Sequence, residues 1–139
     1  MRIVVAIAVA AALTGSGFVH ACSCIGAPAI SVRAQNLVSN EMQVVRVRVL
    51  DVGENPNAHP FIRKRLTVVV LERVLGEQDI KYIAAPDDRW SCEIPNLEKG
   101  EERWLILDRN LHAAPCPNFW VSRNIDILRA ELARIRDAR

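Results

Sequence analysis

The chain opens with Arg2, an uninterrupted apolar run from Ile3 to Leu13, and a stretch from Thr14 to Ala21 that mixes small and polar residues. A positive start, an apolar centre and a small-residue end are the three parts of a secretory signal. The run is far shorter than the about 20 apolar residues that a membrane-spanning helix needs, so it reads as a cleaved leader rather than an anchor. Val19 and Ala21 suit cleavage before Cys22. The expectation is a signal peptide over residues 1–21 and one mature domain over residues 22–139, secreted or periplasmic. No second apolar stretch is long enough to cross a bilayer.

Past Cys22 the apolar residues become periodic. From Pro28 to Leu37, Ile30, Ala34 and Leu37 share a helical face and Pro28 fits a first turn, which predicts a short helix. From Met42 to Val52 the chain alternates, with Val45, Val47 and Val49 on one side and Arg46 and Arg48 on the other, the pattern of a half-buried strand. The two arginines read as its solvated face rather than an anion site. Gly53 to Pro60 is turn-rich. A second strand runs from Arg63 to Leu75 around Thr67, Val68, Val69 and Val70, closed by Gly76. A third covers Ile80 to Ala84 and is interrupted by Pro86 and Asp87. After a turn over Asn96 to Glu101, Arg103 to Leu107 is the fourth, and Leu111 to Ala114 is a short fifth. From Asn124 to Asp137, Ile125, Leu128, Leu132 and Ile135 recur at helical spacing, with Asn124 as the cap. The fold class that follows is mainly β. Five short strands and a closing helix suit a small antiparallel barrel, because closure removes sheet edges, although the pattern alone does not separate a barrel from a sandwich.

Composition adds little about partners. The 139 residues carry 18 Lys and Arg against 16 Asp and Glu, interspersed, and aromatic residues make up 5%. Neither a nucleic-acid surface nor a strong steering field is suggested. The signals for an enzyme are thin: His59 and His112 lie far apart, neither HExxH nor GxSxG occurs, and cysteines held in bridges are not nucleophiles. The chain is read as a non-enzyme without a cofactor of its own, and as a monomer. Trp90, Trp104 and Trp120 read as packing residues, and Asp87 and Asp88 as turn formers.

The cysteines change the picture. Cys22, Cys24, Cys92 and Cys116 all follow the leader, and an even count in an oxidising compartment argues for two disulfides. A bridge between Cys22 and Cys24 would close a small strained ring, so the two schemes that tie this pair separately to Cys92 and Cys116 remain. A four-cysteine zinc site calls for two-residue gaps within each ligand pair, which this spacing does not supply.

With Cys22-Ser23-Cys24 set at the new N-terminus, the chain resembles the N-terminal domain of the tissue inhibitors of metalloproteinases. The resemblance extends through EMQVVRVRVLDVG, RLTVVVLERVLGE, IKYIAAPDDRWSC, EERWLILDRN and LHAAPC, in order and spacing. It implies a netrin-like OB-fold barrel of five strands and bridges Cys22–Cys92 and Cys24–Cys116. It also implies that the α-amino nitrogen and carbonyl oxygen of Cys22 chelate the catalytic zinc of a target metalloproteinase. Cys22 is then the metal-contacting residue, Ser23 enters the specificity pocket, and Cys24 and Ile25 line the contact. The zinc belongs to the protease. The family's third disulfide has no counterpart among these cysteines, and an Arg-rich helix stands where the family's second domain follows. A rival reading uses the same residue: Val19-His20-Ala21-Cys22 is lipobox-like, and a lipidated Cys22 would make the chain a membrane-anchored lipoprotein. A netrin-like binding module without inhibitory action is the other alternative.

Overall fold

The computed structural model describes residues 29–56, 62–86, 97–113 and 115–138, with the α2 side chains described at 121 and from 123 onward. The elements in order are α1 (Ile30–Ser39), β1 (Gln43–Glu54), β2 (Lys64–Leu75), β3 (Tyr82–Ala85), β4 (Glu102–Leu107) and α2 (Pro115–Asp137). The strands form one sheet in the order β3-β2-β1-β4, with every neighbouring pair antiparallel. No described helix is long and apolar enough to cross a membrane.

The alternation of β1 decides which face is core. Val45, Val47 and Val49 are buried and Arg48 is exposed. They pack with Leu66 and Val68 of β2, Ile83 of β3, and Leu105 and Leu107 of β4 into one apolar cluster. Register shifts between β1 and β2 fall at Val44/Val45, Arg46/Val47 and Val49/Asp51. Irregularities of this kind add local twist, which lets a long hairpin coil over its own apolar face. Pairing with β4 ends at Arg48 opposite Glu102. Past that point Leu50 and Val52 are exposed.

The other face of the sheet is apolar only where helices cover it. Val44 and its β4 partner Ile106 are buried against Ala34 and Leu37 of α1 and Val121, Leu128 and Leu132 of α2. The short helix begins at Ile30 and extends two residues past the expected Leu37, to Ser39. It closes with Glu41 N–H bonded to the Val38 carbonyl (3.2 Å) and Met42 N–H to that of Leu37 (3.0 Å). Glu41 sits at φ 54°, the left-handed position that ends many helices, here without glycine. The chain thus turns directly into β1.

Two expectations are corrected. The C-terminal helix starts at Pro115 rather than Asn124, and Asn124 is a break inside it (φ −126°, ψ 19°). Pro115 and Pro117 occupy its first turn, where the missing N–H groups have no helical acceptor anyway. Leu111 to Ala114 is not a regular strand. It contributes two single bridges, Ala84 with His112 in parallel and Leu107 with Ala113 antiparallel, while Ala114 lies outside the described residues. The described sheet is therefore open and four-stranded. Smaller differences are at strand ends: the third strand is Tyr82–Ala85, and Ile80 is buried just ahead of it.

Candidate functional site

The residues singled out at the N-terminus, Cys22, Ser23, Cys24 and Ile25, lie outside the described residues, as do Cys92, His59, Trp90, Asp87 and Asp88. Cys116 is placed by its backbone in the first turn of α2. The bridges Cys22–Cys92 and Cys24–Cys116 thus fall outside what is described. What the structure does describe is the ground in front of α2, whose first turn contains the Cys116 backbone.

That ground is built by a turn after β4. Asp108 Oδ1 accepts hydrogen bonds from the N–H groups of Asn110 (2.8 Å) and His112 (2.9 Å). Leu111 N–H bonds the Asp108 carbonyl (3.0 Å), with Leu111 at φ 60°. An aspartate that accepts from N–H groups a few residues on is a side-chain substitute for a backbone turn. The turn delivers the next segment to the edge of β3: Ala84 N–H bonds the Leu111 carbonyl (3.1 Å) and Ala113 N–H bonds the Ala84 carbonyl (2.9 Å). Because this pairing is parallel, the chain leaves both segments in the same direction. The first is described as far as Pro86 and the second as far as Ala113. His112 itself is half-buried, its Nδ1 3.3 Å from Asp108 Oδ2.

A buried amide braces the same turn from behind. Gln43 is the one buried polar residue among those described. Its Oε1 accepts from Arg73 Nη1 (3.0 Å) and from Gln78 N–H (3.3 Å), while Arg73 Nη2 donates to the Gln78 carbonyl (2.7 Å). Gln78 Nε2 then reaches the Arg109 carbonyl (3.1 Å) in the turn. Gly76 makes this possible: it lies at φ 88°, and a Cβ there would overlap the Gln43 amide. Gly76→Ala is expected to lower stability by about 2 kcal/mol, from the left-handed backbone and the displaced buried side chain together. Urea unfolding would read this as a lower midpoint at unchanged slope. An unchanged midpoint would mean that the Gln43 amide does not fill that space.

A third cluster fastens α2 to the sheet. Glu72 of β2 accepts from Arg129 of α2 and pairs with Arg46 of β1 (3.6 Å), and the Arg129 guanidinium lies 5.4 Å from the centroid of the Trp104 ring. Trp104 is thus a packing residue at the edge of the helix-covered core, as its type suggests. Arg48 pairs with Glu102 across the sheet (Nε to Oε1, 3.0 Å). The reading as a solvated face holds for Arg48, whereas Arg46 is half-buried with its Nε out of contact with solvent; each charge is answered by a neighbouring strand. On α2, the Arg134 guanidinium hydrogen-bonded to Glu131 holds that carboxyl below its ordinary value. Among the described residues no group of three or more His, Cys, Asp and Glu side chains is gathered to hold a metal ion.

The sequence signals for Gln43, Arg73 and Asp108 were weak. Gln43 looks like one more polar strand residue, and only Asp108-Arg109-Asn110 carries recognisable turn chemistry. No protein-family model, curated protein or solved structure matches the chain.

Proposed function

We propose that the mature chain is an exported inhibitor of zinc metalloendopeptidases that works through its first residues, with the Cys22 α-amino and carbonyl groups on the target's zinc and Ser23, Cys24 and Ile25 at its specificity pocket. The observation that carries the reading is the parallel pairing of Ala84 with His112, which sets the strand that precedes Cys92 in sequence beside the segment that precedes Cys116. Bridges from Cys92 and Cys116 to Cys22 and Cys24 would hold both N-terminal cysteines to the domain. The same short segment touches both edges of the sheet, at Ala84 and at Leu107, which favours the five-stranded OB-type barrel over an open sheet.

The chemistry is straightforward. A catalytic zinc keeps one position open for water beside its three protein ligands. Two donors from an N-terminal residue fill that position as a five-membered chelate and expel the water that attacks the peptide bond. A pre-ordered N-terminus lowers the ordering cost that a loose tail incurs on binding. Ser23 enters a pocket without filling it, so selectivity comes from the surrounding loops.

The test begins with the mature protein from its exporting host. Its intact mass before and after reduction, with the N-terminal peptide sequenced, is expected to show a free amine on Cys22 and a gain of four hydrogens for two bridges. That material is expected to inhibit members of a panel of zinc metalloendopeptidases at one-to-one stoichiometry. A lipid on Cys22 would favour the anchored lipoprotein, since an acylated amine cannot ligate zinc. A free amine with no inhibition across the panel would leave the non-inhibitory binding module.

A further inference from the structure

A groove of about 560 Å³ runs between the end of α1, the end of β2 and the C-terminal half of α2. Its lining includes Val38, Leu75 and Leu132, each contributed by a different element, together with Arg73, Arg129 and Arg136. Glu77 is the only carboxylate lining it among the described residues. The volume falls within the range of small-molecule sites, roughly 300–1,000 Å³.

The three arginines differ in freedom. Arg129 is fixed by Glu72 and by the Trp104 ring. Arg73 is held in place by the Gln43 amide and the Gln78 carbonyl, bonds that use two of the five donors a guanidinium offers. Arg136 is 80% exposed and meets only its chain neighbour Asp137, at 3.4 Å, among the described partners. Two held cations, an adaptable one and apolar lining side chains complement a molecule with one anionic head and one apolar tail.

From this geometry we infer that the groove binds an amphiphilic monocarboxylate, the carboxylate at Arg73 and Arg136 and the alkyl chain along Val38, Leu75 and Leu132. The site lies on the C-terminal half of α2 and does not depend on the state of Cys22.

Octanoate and 1-octanol are the probes, since they share tail length and differ in the head. Isotope-labelled mature protein is titrated with each while amide resonances are followed. Octanoate is expected to shift the resonances of Val38, Leu75 and Leu132 saturably and to bind about tenfold more tightly than 1-octanol, as two exposed ion pairs allow. Arg136→Gln, at an exposed position, is expected to weaken octanoate roughly fivefold and leave 1-octanol unchanged. Equal affinity for the two probes, an unaffected Arg136→Gln variant, or shifts confined to other surfaces would overturn the assignment.

Discussion

Placing a single extra residue ahead of Cys22 is expected to abolish inhibition of a susceptible zinc metalloendopeptidase while leaving the melting temperature unchanged. The extension turns the α-amino group into an amide, which cannot donate its nitrogen lone pair to a metal, and pushes a side chain into the space beside the zinc. Removing an outer-shell partner of a metal ligand already costs about 10–100-fold in affinity. Loss of a direct ligand should exceed that, so the inhibition constant is expected to rise on the order of 1,000-fold. The authentic protein offers a second readout. An α-amino group titrates near 7.7–8.0 when unperturbed, and it must be deprotonated to ligate. Below that range inhibition is expected to weaken by about tenfold per pH unit, apart from the protease's own titrations, which a non-proteinaceous chelating inhibitor measured in parallel subtracts. Equal inhibition by the extended and authentic proteins would remove the chelation mechanism and leave the Cys22 region a structural element only.

The N-terminal chemistry and the structural support for it were legible to very different degrees. Cys22-Ser23-Cys24 behind a leader is a local signal, readable from neighbouring residues alone. That Cys92 and Cys116 follow segments paired at Ala84 and His112 was not readable. It depends on the turn at Asp108, on Leu111 in the left-handed region and on the register of β2 with β3, and none of these leaves a periodic trace. The same distinction runs through the fold. Val45, Val47 and Val49 alternate with arginines over a face the sheet itself buries, so the pattern and the burial agree. Val44 falls on the arginine side of that alternation yet is fully buried, because α1, directly before the strand, and α2, far along the chain, cover that end of it. Pro115 and Pro117 read as loop punctuation, since proline ends helices far more often than its tolerance in their first turn is noticed. Leu111 to Ala114 has strand composition, but its pairing is spent on single contacts with two different edges rather than a ladder with one.

Within α2, Leu128→Ala is expected to destabilise the protein by about 3 kcal/mol, lowering the melting temperature by about 10 °C for a domain of this size. Leu128 is fully buried, and it packs in the cluster that contains Val44 of β1, Ile106 of β4 and the α1 residues Ala34 and Leu37. It is the place where both helices meet β1 and β4, and these surroundings are tied into the sheet ladder, so they have little freedom to collapse into the space the side chain leaves. Ile127 is the internal control. It stands one position earlier on the same helix and is 55% exposed, so Ile127→Ala is expected to change stability by no more than about 0.5 kcal/mol. Helix propensity works in the opposite sense to the packing loss, because alanine is the better helix former in both variants. A large difference between the two therefore reports the buried face alone. The break at Asn124 lies between Val121 and Leu128, which stand seven residues apart, a spacing that returns to one helical face, and both are buried in the same cluster. Similar losses for Ile127→Ala and Leu128→Ala would mean that the segment after Asn124 packs in a different rotation, and that Arg129 does not reach Glu72.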